Sequence, residues 1–216
     1  MSGRFDLGTR HLYLCTPDRP DLAAFVAACI EGGVDVVQLR DKELEARPLV
    51  ERAKVVAEVC NALGVPFVLN DRPDLALEAG ADGVHVGQDD APVSLARRIL
   101  GPDAIVGLST HSPEDLAGAL GQDVNYLSAG PVEPTPTKPG RAGTGVDYVS
   151  LATGRASVPV FVTGGVTPET IPGLAAAGVR HFVVVRYLTQ APDARHAARA
   201  LRDAIDRASS SAPPAA

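Results

Sequence analysis

Residues suited to handling a phosphate ester and a small hard cation recur along this chain in five short strings. Gln38, Arg40 and Lys42 fall in QLRDK, Asn70 and Asp71 form ND, Asp89 and Asp90 close GQDD, Thr135, Thr137 and Lys138 fall in TPTK, and Gly164 and Gly165 stand together. A carboxamide, a guanidinium and an ammonium group suit phosphate oxygens. Paired aspartates suit magnesium, which takes one or two carboxylates and leaves its other positions to water and phosphate oxygens. A glycine pair lets an anion approach backbone N–H groups closely. Each string begins where an apolar, β-branched run ends, so parallel strands would open all five onto one rim.

The elements that must position them alternate between two periods. Leu22, Phe25, Val26, Cys29 and Ile30 repeat at helical spacing, with Asp21 as expected N-cap and Gly32 as stop; Leu49, Ala53, Val56, Ala57, Cys60 and Leu63 repeat it, ended by Gly64. Between them Val34 to Arg40 is short and Val-rich, a strand. Similar runs predict strands at His11 to Cys15, Pro66 to Asn70, Gly83 to Val86, Ala104 to Ser109, Val124 to Ala129, Val158 to Thr163 and His181 to Arg186. Further helices are expected over Asp74 to Ala79, Pro92 to Leu100, Pro113 to Leu120, Pro168 to Ala177 and Ala194 to Ala208. About eight βα units resolve most simply into a single α/β domain, a (β/α)₈ TIM barrel over residues 1–208, with 209–216 a disordered Ser/Pro/Ala tail. A doubly wound open sheet is the structural alternative, although CTPDRPD after the first strand is not a glycine-rich phosphate loop. Gly130 to Gly145 breaks the rhythm: it is Pro-rich and much longer than a βα loop of about 2–6 residues. It reads as a rigid excursion or as a lid with ligand contacts.

Each motif also has a structural reading. The two-residue strand period turns Val37 and Leu39 towards the helices and Gln38 and Arg40 inward, where they form a phosphate-binding wall with Lys42 or pair internally with Asp41 and Glu43. Asp71 and Asp90 hold a cation or cap the helices that follow. Gly164 and Gly165 meet a second anion or make a tight turn before Thr167 and Pro168. His85, between Val84 and Val86, reads as a hydrogen-bonded core histidine; His111 reads as an acid/base or a helix cap. No Ser/His/Asp or Cys/His nucleophile set stands at the strand ends.

Composition narrows the function classes. A formal net charge of −6 argues against a nucleic-acid surface or a polybasic membrane patch. Three cysteines, Cys15, Cys29 and Cys60, lack metal-site spacing and read as buried hydrophobes in a reducing compartment. Met1 to Arg10 has no apolar core of a leader, and no apolar run approaches the roughly 18 residues of a spanning helix, so the cytoplasm is the expected compartment. The expected partners are small-molecule substrates, with self-association compatible with the sequence.

Read in order, QLRDK, ND, DGVHVGQDD, GLSTH, GPVEPTPTK and TGGV resemble the motif series of the thiamine phosphate synthase family, from about the second strand to the seventh. The resemblance implies a (β/α)₈ enzyme that joins 4-amino-2-methyl-5-hydroxymethylpyrimidine diphosphate to a thiazole phosphate, releasing pyrophosphate by a Mg²⁺-assisted dissociative path. Carried over by position, Gln38, Leu39, Arg40, Asp41, Lys42 and Asn70 would hold the pyrimidine diphosphate, and Asp71 and Asp90 would bind magnesium. Ser109 would hydrogen-bond the pyrimidine or the departing pyrophosphate. Thr135, Pro136, Thr137 and Lys138 would belong to a loop over both substrates, and Gly165, Val185 and Arg186 would meet the thiazole phosphate. Arg40, Lys42, Lys138 and Ser109 would act on the reacting groups. Two positions depart from the family pattern: Arg186 stands where a Ser is common, and Glu133 where a large apolar or aromatic residue is common. A thiazole tautomerase on the same barrel, with His111 as base, and a non-catalytic phosphate-binding barrel are the competing expectations.

Overall fold

Side-chain alternation divides each strand between two buried layers, and the computed structural model, which describes residues 4–134 and 142–210, shows both. Eight parallel strands, β1 (Leu12–Thr16), β2 (Val36–Leu39), β3 (Phe67–Asn70), β4 (Gly83–Val86), β5 (Ile105–Thr110), β6 (Tyr126–Ala129), β7 (Val160–Val162) and β8 (His181–Val184), close in chain order. β8 pairs with β1 through Leu12 and Phe182, which closes a (β/α)₈ TIM barrel and excludes the open sheet. Outside lie α1 (Leu22–Glu31), α2 (Ala46–Leu63), α3 (Pro73–Ala79), α4 (Val93–Leu100), α5 (Pro113–Ala119), α6 (Gly145–Arg155) and α7 (Ile171–Ala176). α8 (Arg186–Thr189) and α9 (Ala194–Ser210) follow β8.

The outer layer packs Leu12, Leu14, Val37, Leu39, Leu69, Val84 and Val106 against the helices. The inner layer holds Tyr13, Cys15, Val36, Val68, Ile105, Tyr126 and Phe161. Thus Val37 and Leu39 face outward, as the strand period requires, and Gln38 turns inward. Tyr13, Tyr126 and Phe161 close a triangle of edge-to-face rings with centroids 5.3–5.9 Å apart. Each such ring buries on the order of 200 Å² on folding, worth roughly 5 kcal/mol against conformational entropy. This aromatic plug fills the barrel's waist, and Tyr13 lines the cavity above it.

Helix ends follow local chemistry. Gly64 closes α2 at φ 69°, and its N–H returns to the carbonyls of Cys60 and Asn61. Asp21 occupies the N-cap position of α1 as expected, but its side chain makes no cap hydrogen bond, because Arg19 takes both of its carboxylate oxygens. Two helices run beyond expectation. α6 fills what reads as irregular sequence, because its buried Tyr148, Val149 and Ala152 share the helix with exposed Val146 and Leu151, so no clean apolar stripe exists. α9 continues through Ser210, past the expected boundary at Ala208. Arg186 starts α8 rather than ending β8. Among the described residues, no helix is long and apolar enough to cross a membrane.

Candidate active site

Four of the buried polar side chains, Gln38, Asn70, His85 and Ser109, lie on β2, β3, β4 and β5 in turn. A buried polar group is costly unless something satisfies it, so four in succession mark one face of the barrel interior. They border a cavity of about 930 Å³ that opens at the C-terminal ends of the strands. Arg40 and Lys42, just past β2, line the same cavity. Internal pairing with Asp41 does not occur: its carboxylate accepts from the backbone N–H groups of Asp18, Glu43 and Leu44, shaping the β2–α2 loop. Asp41 therefore sits outside the cavity lining. Leu39 is also displaced from its expected role, since its side chain is fully buried in the outer layer and does not reach the cavity.

Asp71 and Asp90 converge across the rim. Lys42 Nζ lies 2.9 Å from Asp71 Oδ2, and Asp90 Oδ2 accepts from the Gly87 N–H at 2.8 Å. Gly87 permits that return, because a Cβ there would stand 2.8 Å from the same oxygen. Burial pushes the Asp71 carboxyl above the usual range; Lys42 opposes the shift and the adjacent Asp90 adds to it. Burial also acts on Asp90, but hydrogen bonds from the Asp71 carboxyl and the Gly87 N–H, with Lys42 nearby, hold it below the usual range. Two facing carboxylates that share one proton behave this way. Neither caps a helix: the N-caps of α3 and α4 are Arg72 and Pro92, and neither helix has a side-chain cap. Asp71 is the one non-glycine residue at positive φ, 64°, among the described residues. Holding a non-glycine there costs roughly 1–2 kcal/mol, and the Asp71 N–H bond to the His85 carbonyl at 2.8 Å keeps it in place.

Across the cavity, Gly164 and Gly165 adopt φ of 94° and 76°. A Cβ on Gly164 would approach Pro131 Cβ to 2.5 Å, so a side chain at that position has no room. Gly165, Val185 and Arg186 line the cavity, with Arg186 exposed at its mouth. The Glu133 carboxylate lies close to Gly165, 2.9 Å from where a Cβ there would stand. His111 also lines the cavity, its Nδ1 bonded to the Gly130 carbonyl; Ser112, not His111, caps α5. Thr135, Pro136, Thr137 and Lys138 lie outside the described residues. The feet of their segment are fixed: Thr144 N–H donates to Pro131 O at 2.8 Å, and Val132 N–H to Thr163 O at 2.8 Å.

Sequence reasoning passed over Tyr13 and Tyr126. Tyr13 lines the cavity floor and its hydroxyl meets that of Tyr126 at 2.9 Å. Inward alternation against Leu12 and Leu14 was a usable signal for Tyr13.

Three comparisons bear on this geometry. The family model described as thiamine monophosphate synthase matches residues 12–188. The thiamine-phosphate synthase of Mycobacterium tuberculosis is 44% identical, over 94% of this chain and 97% of its own. The solved thiamine phosphate pyrophosphorylase from Pyrococcus furiosus superposes with a TM-score of 0.84 at 29% identity, covering 95% of this chain and 98% of that one. The solved 3-hexulose-6-phosphate synthase of Salmonella typhimurium, at 16% identity, TM-score 0.68 and 92% and 99% coverage, shares the fold alone.

Proposed function

The chain belongs to the thiamine monophosphate synthase family of enzymes, and from that premise we propose that it joins 4-amino-2-methyl-5-hydroxymethylpyrimidine diphosphate to a thiazole phosphate, in the cytoplasm. The observation that carries the reading is the convergence of Gln38, Arg40, Lys42, Asp71 and Asp90 on one rim of one cavity.

The donor set fits magnesium. Two hard carboxylates face each other closely enough to share a proton, and no cluster of three or more His, Cys, Asp or Glu exists among the described residues to favour a softer or more fully caged ion. Asp71 and Asp90 would hold the ion, which would neutralise charge on the leaving diphosphate.

The rest falls to the chain's own side chains. Arg40 and Lys42 bind the diphosphate from the β2 side, and the family resemblance adds Lys138, outside the described residues, as a third cation for it. Gln38 and Asn70 orient the pyrimidine through their amides. Gly165, Val185 and Arg186 receive the thiazole phosphate. The bond from the pyrimidine methylene carbon to the bridging oxygen breaks, and pyrophosphate keeps the electron pair. The ring amino group delocalises the resulting cation, and the thiazole nitrogen supplies the pair for the new C–N bond. Such a course needs alignment and charge stabilisation rather than a protein nucleophile, which accords with the lack of a nucleophile set in the sequence.

The test is to incubate purified protein with both substrates and Mg²⁺ and to measure thiamine phosphate and pyrophosphate. Equal amounts of the two products, abolished by a chelator, are expected. Binding of both substrates with no product overturns the proposal.

A further inference from the structure

A single file of hydrogen bonds crosses the barrel beneath the cavity. The Cys15 thiol donates to Gln38 Oε1 at 3.1 Å, and Gln38 Nε2 donates to the Tyr13 hydroxyl at 2.8 Å. Tyr13 and Tyr126 hydroxyls meet at 2.9 Å. Tyr126 then meets His85 Nδ1 at 2.9 Å, and His85 Nε2 meets Ser109 Oγ at 2.9 Å. Five elements, β1, β2, β6, β4 and β5, each contribute to it.

The file has a direction. A thiol sulfur is a weak acceptor, so the Gln38 amide turns its oxygen to Cys15 and its N–H to Tyr13. Tyr13 has one proton and already accepts from Gln38, so it donates to Tyr126. Tyr126 in turn donates to Nδ1 of His85. A neutral imidazole then carries its proton on Nε2 and donates to Ser109. Ser109 Oγ accepts that bond, and its own proton is directed to the cavity. Burial pushes both tyrosine hydroxyls upward in pKa, so neither loses its proton near neutrality. The packing is cut to this purpose: a Cβ on Gly107 would lie 2.1 Å from Tyr126 Cζ, so only glycine lets the ring cross to His85. His85 and Tyr126 rings are near-parallel, 23° apart, with centroids at 5.5 Å.

We propose that Tyr13, Tyr126 and His85 are positioning residues that fix the His85 Nε2–H tautomer and leave the Ser109 O–H to donate to the cavity's ligand. Ser109 therefore recognises an acceptor atom, and, resting on the reading above, that atom is an oxygen of the leaving diphosphate. The assignment goes beyond naming Ser109 as a contact: it states the polarity of the contact and the residues that set it.

The first test needs no substrate. Long-range ¹H–¹⁵N spectra of the intact protein, with His85 assigned by its loss in His85→Asn, are expected to show protonated Nε2 and bare Nδ1 near neutral pH. A protonated Nδ1, alone or together with Nε2, overturns the proposal. The second test uses turnover. Tyr126→Phe keeps the ring against Gly107 and is expected to lower kcat on the order of tenfold, with KM for the thiazole phosphate unchanged. Tyr13→Phe is expected to lower it less, since Tyr126 can still donate to His85. Because Tyr126 acts through Ser109, Tyr126→Phe combined with Ser109→Ala is expected to be no slower than Ser109→Ala alone. Losses that multiply overturn the proposal. A wild-type protein that makes no thiamine phosphate would remove the proposed reaction, while the spectrum would still decide the tautomer.

Discussion

The two ends of the barrel carry the same kinds of polar residue and use them oppositely. At the N-terminal end, an Asp or Asn just before β2, β4 and β6 accepts from an N–H at the start of the preceding odd strand. Asp35 binds the His11 and Leu12 N–H groups and pairs with Arg202 of α9; Asp82 binds Phe67 N–H; Asn125 binds Val106 N–H and Arg97. Every one of these groups is consumed internally. At the C-terminal end, Arg40, Lys42, Asp71 and Asp90 face a cavity, and Asp71 is held in an unfavourable backbone conformation. The contrast teaches that charge alone does not mark a site in this fold; what marks it is charge whose partners stop short of satisfying it.

The largest expected effect lies at the closed end. Asp35→Ala leaves Arg202 without its ion pair and strands two backbone donors, and is expected to cost about 3 kcal/mol in urea unfolding. Turnover per folded molecule is expected to stay at the wild-type level; a matching loss of turnover would break the division between the ends. Next comes Asp71→Asn, expected to lower kcat on the order of 10²-fold and to raise the Mg²⁺ requirement. Its stability should move the other way. The folded-state pKa of Asp71 is raised, so its favourable contribution is full below the ordinary value of about 4 and is lost as pH rises through the folded value. Urea midpoints at neutral pH without added metal should therefore be no lower for Asp71→Asn than for wild type. At the waist, Gly107→Ala forces Tyr126 aside and is expected to cost about 2 kcal/mol, with turnover falling as well. The smallest effect belongs to His181 at the closed end, which stacks on His11 with ring centroids 5.3 Å apart. Burial lowers its pKa, so its contribution is present above about 6.5 and is lost as pH falls through the folded value. His181→Gln should flatten the dependence of Tm on pH below neutrality by an amount equivalent to less than about 1 kcal/mol.

Much of this contrast was legible before any coordinates. The alternation in VDVVQLRDK places Val37 and Leu39 outward and Gln38 inward, and strand-end positions bring Asp71 and Asp90 to one rim. What escaped was set by tertiary packing rather than by local pattern. α6 is anchored by Tyr148, Val149 and Ala152 while Leu151 stays exposed, so its period is blurred. The Tyr13 to Tyr126 contact joins residues 113 positions apart, and nothing near either tyrosine announces its partner. Asp41 is expected from the sequence to contact substrate or to pair internally with Arg40 and Lys42, yet it is spent on three backbone N–H groups of its own and a neighbouring loop. Bare proximity to a strand end does not separate an organiser of the loop from a group that meets the ligand.

The Asp and Asn brackets at the closed end also bear on how the chain assembles. Each spans a short stretch, 23 residues from Leu12 to Asp35, 15 from Phe67 to Asp82 and 19 from Val106 to Asn125. Loop-closure entropy grows with the logarithm of span, so these clasps tie strands two at a time at low cost as the polypeptide emerges from the ribosome. The cavity floor has no such shortcut: its hydroxyl file joins Tyr13 to Tyr126, 113 positions apart, so it cannot close before β6 is in place.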